Sequence, residues 1–311
     1  MAAPLLRRAL LYVPGSSKRM LEKSRLLNVD CITYDLEDSV TVSSKPAARS
    51  HIREILSLPR AHGIREQAVR VNSIGTGLAL DDLTEVLKAP HLDTIVVPKV
   101  ESPADVTFVA NVLDHSNHPN KTGIKIIALL ESARAIMDIR SICASSPRLS
   151  GLVFAAEDFA LDLSLTRSPS LTEFLFARQT IVAAARAYNI PSAIDLVCTE
   201  YKDTSDAGAL ARECKEGAAM GFNGKQVIHP GQVERVQVMF LPSVERVRGA
   251  VRVLVADRKA EEQGRGSWAL DGKMVDAPVV GASRRVVEKA ELGGIDVGKI
   301  FEEEKGTVPD S

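Results

Sequence analysis

Aromatic residues are scarce in this chain, cysteines are few, and the charges almost cancel. Aromatics make up 4% of the 311 residues, with a single Trp, which argues against an extended surface for stacking bases. The formal net charge of −1, from 39 basic and 40 acidic residues, supplies no global attraction for nucleic acid or an anionic membrane. The four cysteines, Cys31, Cys143, Cys198 and Cys214, form no Cys-x-x-Cys pair and stand near no His at ligand spacing. They read as reduced, mostly buried thiols in a reducing compartment. The six His are scattered, which argues against zinc. No apolar run reaches the ~18 residues that suggest a bilayer span. Residues 1–8 are short and basic, and the first apolar run starts at Ala9. A cleavable presequence is therefore not expected, and the cytoplasm is the favoured compartment.

What is present is an ordinary globular balance, 45% apolar and 25% charged, on a chain long enough to bury a large core. Short apolar runs alternate with longer amphipathic stretches. The runs predict strands at 9–13, 31–35, 67–71, 94–98, 125–130, 151–154, 192–196 and 224–228. The stretches between predict helices at 18–27, 45–56, 80–87, 104–113, 134–143, 171–188, 207–220 and 231–239. Strand–helix alternation implies parallel βαβ units. Eight of them in a row suggest an α/β fold closed as a (β/α)8 TIM barrel, with a doubly wound open sheet as the alternative. Residues 1–240 would form this catalytic barrel. Residues 241–311 would form an extension: a helix at 244–262, a short β-hairpin at 268–275 turning on Asp271-Gly272, and a helix at 277–292. The polar tail from Glu302 is expected to fray.

The expected C-terminal strand ends are rich in charge. They carry Asp35-Leu36-Glu37-Asp38, Arg70 with Asn72, Lys99 with Glu101, Glu131, Glu157-Asp158 and Asp195. In a barrel these ends form the active-site face. Carboxylates converging there without a His cluster suit a hard cation such as magnesium. Glu131 and Asp158 are the first candidates, since each follows an apolar run. The competing interpretation is that each caps a helix or pairs with a neighbouring cation. Arg70 lies inside an apolar strand and must be paired, either with a substrate carboxylate or with Asp35 or Glu37. Gly15-Ser16-Ser17 with Lys18, Arg19 and Lys23 could hold an anion at a helix start, or simply form a solvated basic face.

Several segments occur in order: Arg8-Ala9-Leu10-Leu11-Tyr12-Val13-Pro14-Gly15, Asp35-Leu36-Glu37-Asp38, Arg70-Val71-Asn72, Pro98-Lys99-Val100-Glu101, Leu130-Glu131-Ser132-Ala133, Ala156-Glu157-Asp158 and the run from Gly221 to Pro230. Together they resemble the aldolase family of citrate lyase β subunits, malyl-CoA lyases and citramalyl-CoA lyases. Ala193-Ile194-Asp195-Leu196-Val197 and the segment from Gly272 to Pro278 add a likeness to the stand-alone citramalyl-CoA lyase branch. The resemblance implies a carbon–carbon lyase that assembles as a trimer or hexamer. It implies magnesium on Glu131 and Asp158, with Arg70 holding the keto or hydroxy acid. It places CoA phosphates near Tyr12, Arg19 and Lys23, and the thioester arm along Ile228 and His229. It makes Asp276 a catalytic residue offered to a neighbouring subunit, where the residues alone suggest only a helix N-cap before Pro278. Asp35, Glu37 and Asp38 would fix Arg70 or hold water around the metal. The expected reaction splits a 3-hydroxy-3-carboxyacyl-CoA such as citramalyl-CoA into acetyl-CoA and pyruvate. Malyl-CoA lyase or thioesterase activity, a malate synthase-like reaction, a citrate lyase β subunit acting on a citryl thioester, and a non-catalytic CoA-binding barrel are the alternatives. Relatives in animals make the mitochondrial matrix the alternative compartment. One departure stands out: Ala155-Ala156 precede Glu157-Asp158 where relatives often carry glycine, and the extra methyl groups could narrow the acid pocket.

Overall fold

The computed structural model describes residues 5–310, which divide into two compact units. The first, Arg7–Phe240, is a closed barrel of parallel strands in the order β1 to β8. The strands are β1 Ala9–Pro14, β2 Val29–Asp35, β3 Ile64–Arg70, β4 Thr94–Val97, β5 Lys125–Leu130, β6 Leu149–Phe154, β7 Ser192–Asp195 and β8 Gly224–Val227. β1 pairs with both β2 and β8, which closes the ring and removes every sheet edge. The helices are α1 Lys18–Ser24, α2 Lys45–Ser57, α3 Ala79–Val86, α4 Pro103–His115, α5 Ala133–Met137, α6 Ile139–Cys143, α7 Ala156–Leu163, α8 Leu175–Ala187, α9 Ala209–Met220 and α10 Val233–Met239. The barrel is therefore the one expected from the alternation of short and long segments. Two local readings need correction. The single helix expected at 134–143 is two short ones meeting at Asp138. The segment after β6, taken as rim, is the helix α7, whose first turn holds Glu157 and Asp158. Two acids there suit the positive end of a helix dipole.

Strand parity decides which side chains enter the barrel, because successive residues face opposite sides of a sheet. Leu10, Cys31, Ala68, Val96, Ile127, Leu129, Val153 and Ile194 pack together as an inner apolar cluster, with Tyr12 against it. The residues between them, such as Leu11, Ile32, Val69, Ile95 and Ala128, belong to the larger cluster shared with the helices. Continuing the inward series in steps of two gives Asp35, beyond Thr33, and Arg70 and Glu131.

The opposite end of the barrel carries a polar plug that the sequence did not disclose. Arg7 is fully buried, and its Nε and Nη2 donate to Glu66 at 2.6 and 2.7 Å while Nη1 donates to the Ser150 carbonyl at 2.8 Å. Thr94 donates to the same carboxylate. Arg8 pairs with the buried Asp30 at 2.6 Å. The basic character of the N-terminal segment thus includes two structural ion pairs. Arg7→Met should leave Glu66 as a buried charge without its cation and cost about 3–5 kcal/mol of stability. Urea denaturation reads this directly, and a loss below 1 kcal/mol would contradict the plug.

The second unit, from residue 241 onward, contains α11 Val244–Glu262, a hairpin of β9 Trp268–Leu270 and β10 Lys273–Val275, α12 Ala277–Leu292 and α13 Val297–Glu304. Val247, Val251, Val287, Val297 and Ile300 form one of its cores, and Trp268, Leu270 and Val275 pack with Ala256, Ala260 and Val280 in another. Asp271 and Gly272 both take positive φ, 51° and 71°, as a two-residue hairpin turn requires. Through Asp310 the tail does not fray as expected; Ser311 lies outside the described residues. α13 runs to Glu304, Arg248 binds Glu303 and Glu304, and Asp310 accepts from the Gly272 N–H at 2.9 Å. Among the described residues no helix is long and apolar enough to cross a membrane. All four cysteines are free and buried.

Candidate active site

A cavity of about 450 Å³ opens at the C-terminal mouth of the barrel. Tyr12, Asp35, Asp38, Arg70, Glu131, Asp158 and Ile228 line it, joined by Leu129, Ala155, Ala156, Glu157 and Gln226. Most of the expected site residues are therefore brought together, although they come from separate strands. Arg19 and Lys23 lie exposed on α1, and His229 is exposed beside Ile228; none of the three lines the cavity. The His229 ring lies tilted against Tyr201 with centroids 5.3 Å apart. Asp276 belongs to the second unit, where it is the N-cap of α12 and accepts from the Val279 N–H at 3.2 Å.

The local turn that opens the mouth is set by Gly15. Its N–H donates to the Asp35 carbonyl at 2.9 Å, and a Cβ there would stand 2.8 Å from that same oxygen. Only glycine lets the β1 exit approach β2 this closely. Ser17 then caps α1.

Arg70 is held rigidly. Nε and Nη2 donate to the two oxygens of Asp35 at 2.7 and 2.8 Å, Nη1 lies 2.9 Å from Glu37, and the guanidinium covers the Tyr12 ring at 4.6 Å. Asp38 approaches Nη1 only at 3.5 Å. A guanidinium has five N–H groups; with Nη1 facing both Glu37 and Asp38 and Nε and Nη2 on Asp35, Nη2 keeps one hydrogen for a further oxygen ligand. Burial pushes Asp35 up, but the bonds from Arg70 outweigh it and hold the carboxylate below its ordinary pKa. Tyr12 donates to Gln226 at 2.9 Å, and Gln226 in turn donates to the Phe154 carbonyl at 2.9 Å. Burial raises the Tyr12 pKa, so its phenol stays neutral. Gln226 was missed as a site residue. Its signal was parity, two residues past Gly224 and facing inward on β8.

Glu37, Glu131 and Asp158 surround a single cation, the ammonium of Lys99. Its distances are 3.4, 3.5 and 3.1 Å, and the Lys99 backbone N–H also donates to Glu131 at 3.0 Å. Among the described residues, no group of three or more His, Cys, Asp or Glu stands preassembled for a metal. Two carboxylates suffice for magnesium when water and substrate oxygens complete the shell. Glu131 and Asp158 fit that requirement, because both already face one positive centre from just past the ends of the adjacent strands β5 and β6. Burial, reinforced by Asp158, raises Glu131. Burial, with Asp38 and Glu131 adding to it, raises Glu37 from the ordinary 4.5 to about 7.

That elevation gives a pH prediction for the metal-free protein. A carboxyl whose folded pKa is raised stabilises the fold below its unfolded pKa and loses that contribution as pH rises through the folded value. Glu37→Gln should match the wild type below pH ~4.5 and become the more stable protein above pH ~7, by up to about 3 kcal/mol. Denaturation midpoints across pH 4–8 test it. A gap that stays flat or closes with rising pH would show that Glu37 ionises normally.

One rim charge falls outside the site. Asp195 alternates with the inward Ile194, so it faces the helices. There it forms a buried two-bond pair with Arg178, at 3.0 and 2.7 Å.

The model of the HpcH/HpaI aldolase/citrate lyase family matches residues 8–230. The chain belongs to that family. The match spans all eight strands of the barrel. Among relatives, the mitochondrial citramalyl-CoA lyase of Homo sapiens is 36% identical over 91% of this chain and 85% of its own length. The β subunit of citrate lyase from Haemophilus influenzae is also 36% identical, over 93% of this chain and 98% of its own. Among solved structures, CitE of Mycobacterium tuberculosis in complex with magnesium, acetoacetate and coenzyme A superposes with a TM-score of 0.76 at 29% identity, covering 92% and 98% of the two chains. These relatives in the aldolase/citrate lyase family are lyases, and the closed eight-strand barrel is the architecture the family likeness implied.

Proposed function

We propose that this chain is a magnesium-dependent carbon–carbon lyase that cleaves a 3-hydroxy-3-carboxyacyl-CoA, citramalyl-CoA being the type, to acetyl-CoA and pyruvate. The observation that carries the reading is one cavity joining a carboxylate pair around a cation, Glu131 and Asp158, to an arginine immobilised by Asp35. Glu131 and Asp158 would hold the magnesium. When bound, it supplies Lewis acidity and neutralises charge on the acid half of the substrate. The remaining Nη2 hydrogen of Arg70 meets the carboxylate that ends on the keto acid, and Asp35, Glu37 and Asp38 keep the guanidinium in place. Tyr12 and Gln226 wall the inner end, where Ala155 and Ala156 limit the size of the acid. Arg19 and Lys23 meet the CoA phosphates outside the mouth with Tyr12 at the inner end of that path, and Ile228 and His229 line the thioester arm.

Cleavage breaks the bond between the hydroxyl-bearing carbon and the methylene next to the thioester. The hydroxyl gives its proton to water at the open cavity mouth and becomes the keto oxygen, and the electron pair of the broken bond leaves on the acetyl-CoA side as an enolate. Asp276, offered by a neighbouring subunit of a trimer or hexamer, delivers a proton to that carbon. In this reading residues 1–240 are the catalytic unit, and the later residues complete the site of a neighbour. The free thiols suit a reducing compartment, the cytoplasm or the mitochondrial matrix, and the human relative is named as mitochondrial.

A second substrate, a citryl thioester, is favoured by the equal identity to the Haemophilus influenzae β subunit. Purified protein with magnesium should release keto acid from one member of a panel of citramalyl-, malyl- and citryl-CoA. Absence of product from all three would defeat the lyase reading.

A further inference from the structure

The ammonium of Lys99 occupies the space between the carboxylates assigned to the metal. Lys99 is one of the few non-glycine residues with a left-handed backbone, φ 50°, a conformation that persists only where surroundings impose it. Two contacts impose it here. The backbone N–H is pinned to Glu131 at 3.0 Å, and the side chain reaches Asp158, Glu37 and Glu131 at 3.1, 3.4 and 3.5 Å. Three carboxylates this close repel one another unless a cation lies among them. An ammonium and a divalent cation bound to the same oxygens would likewise repel, so the two are alternatives. The lysine has somewhere to go, since its side chain is 43% exposed.

We propose that Lys99 is a built-in counter-cation: its ammonium holds Glu37, Glu131 and Asp158 together in the metal-free protein and is displaced to solvent when magnesium binds. The inference rests on the magnesium reading above and adds a competitor to it. Lys99 is thus a positioning residue for the ligand set, and its presence weakens the apparent affinity for the metal. The backbone anchor to Glu131 does not depend on the amine, so Lys99→Met removes the competitor and keeps the anchor.

Magnesium titrations by calorimetry on metal-stripped protein should give Lys99→Met a dissociation constant lower than wild type by on the order of tenfold, because no bound state has to be vacated first. An unchanged or weaker affinity would overturn the proposal and leave the magnesium reading standing. No magnesium binding by either protein would overturn both. A second measurement needs no variant and decides the matter if Lys99→Met does not fold. Brief acetylation of the wild type with acetic anhydride, read by peptide mass spectrometry, should modify Lys99 several-fold more with magnesium than without. Equal or reduced modification would overturn the displacement.

Discussion

Glu131→Gln is expected to abolish magnesium binding and to lower lyase turnover by about a thousandfold, the several kcal/mol that a Lewis-acid metal supplies. Asp158→Asn should do the same. The fold should tolerate both changes. The Lys99 N–H donates to one oxygen of Glu131, and the Gln carbonyl can accept that bond. Burial already disfavours the charged form of Glu131, so a neutral isostere costs the metal-free protein little. The comparison to make is turnover and magnesium titration against thermal melting of the same samples. Activity near the wild-type level, or wild-type turnover that survives exhaustive chelation, would remove the metal from the reaction.

Asp276→Asn is expected to leave magnesium affinity and stability unchanged and to cut turnover about 10²- to 10⁴-fold, the range for loss of a general acid. This substitution separates two roles cleanly. Asp276 caps α12 through the Val279 N–H, and Asn caps a helix about as well as Asp. A residue that only caps would therefore give an active variant. If the aspartate serves a neighbouring subunit, co-refolding Asp276→Asn with Glu131→Gln should recover part of the activity, because hybrid oligomers contain one intact site. Recovery absent from the mixture would assign Asp276 to its own barrel or to no site.

Much of the barrel was legible because its signals are local. A strand with a period of two and a helix with a period of 3.6 write their patterns into short windows. The limits of β5, α11 and α12 could be read almost residue by residue for that reason. The tight turn at Asp271-Gly272 was legible because two positive φ values demand those residue types. α7 was not legible. Its eight residues follow a strand without a break, and the acids of its first turn look the same whether they cap a helix or coat a rim.

The candidate site divides in the same way. By itself the sequence determined the eightfold alternation, and with it that Asp35, Arg70 and Glu131 continue the inward series of their strands. Parity and strand ends are properties of neighbouring residues. Only the tertiary structure decided the partners. It turned Asp195 away from the mouth onto Arg178, buried Arg7 on Glu66, and set the Lys99 ammonium among three carboxylates, one of them 59 residues away. A charge in a sequence carries its sign but not the identity of what it faces. Ion pairs act through space over a few ångströms, and barrel closure alone brings such distant residues within that range.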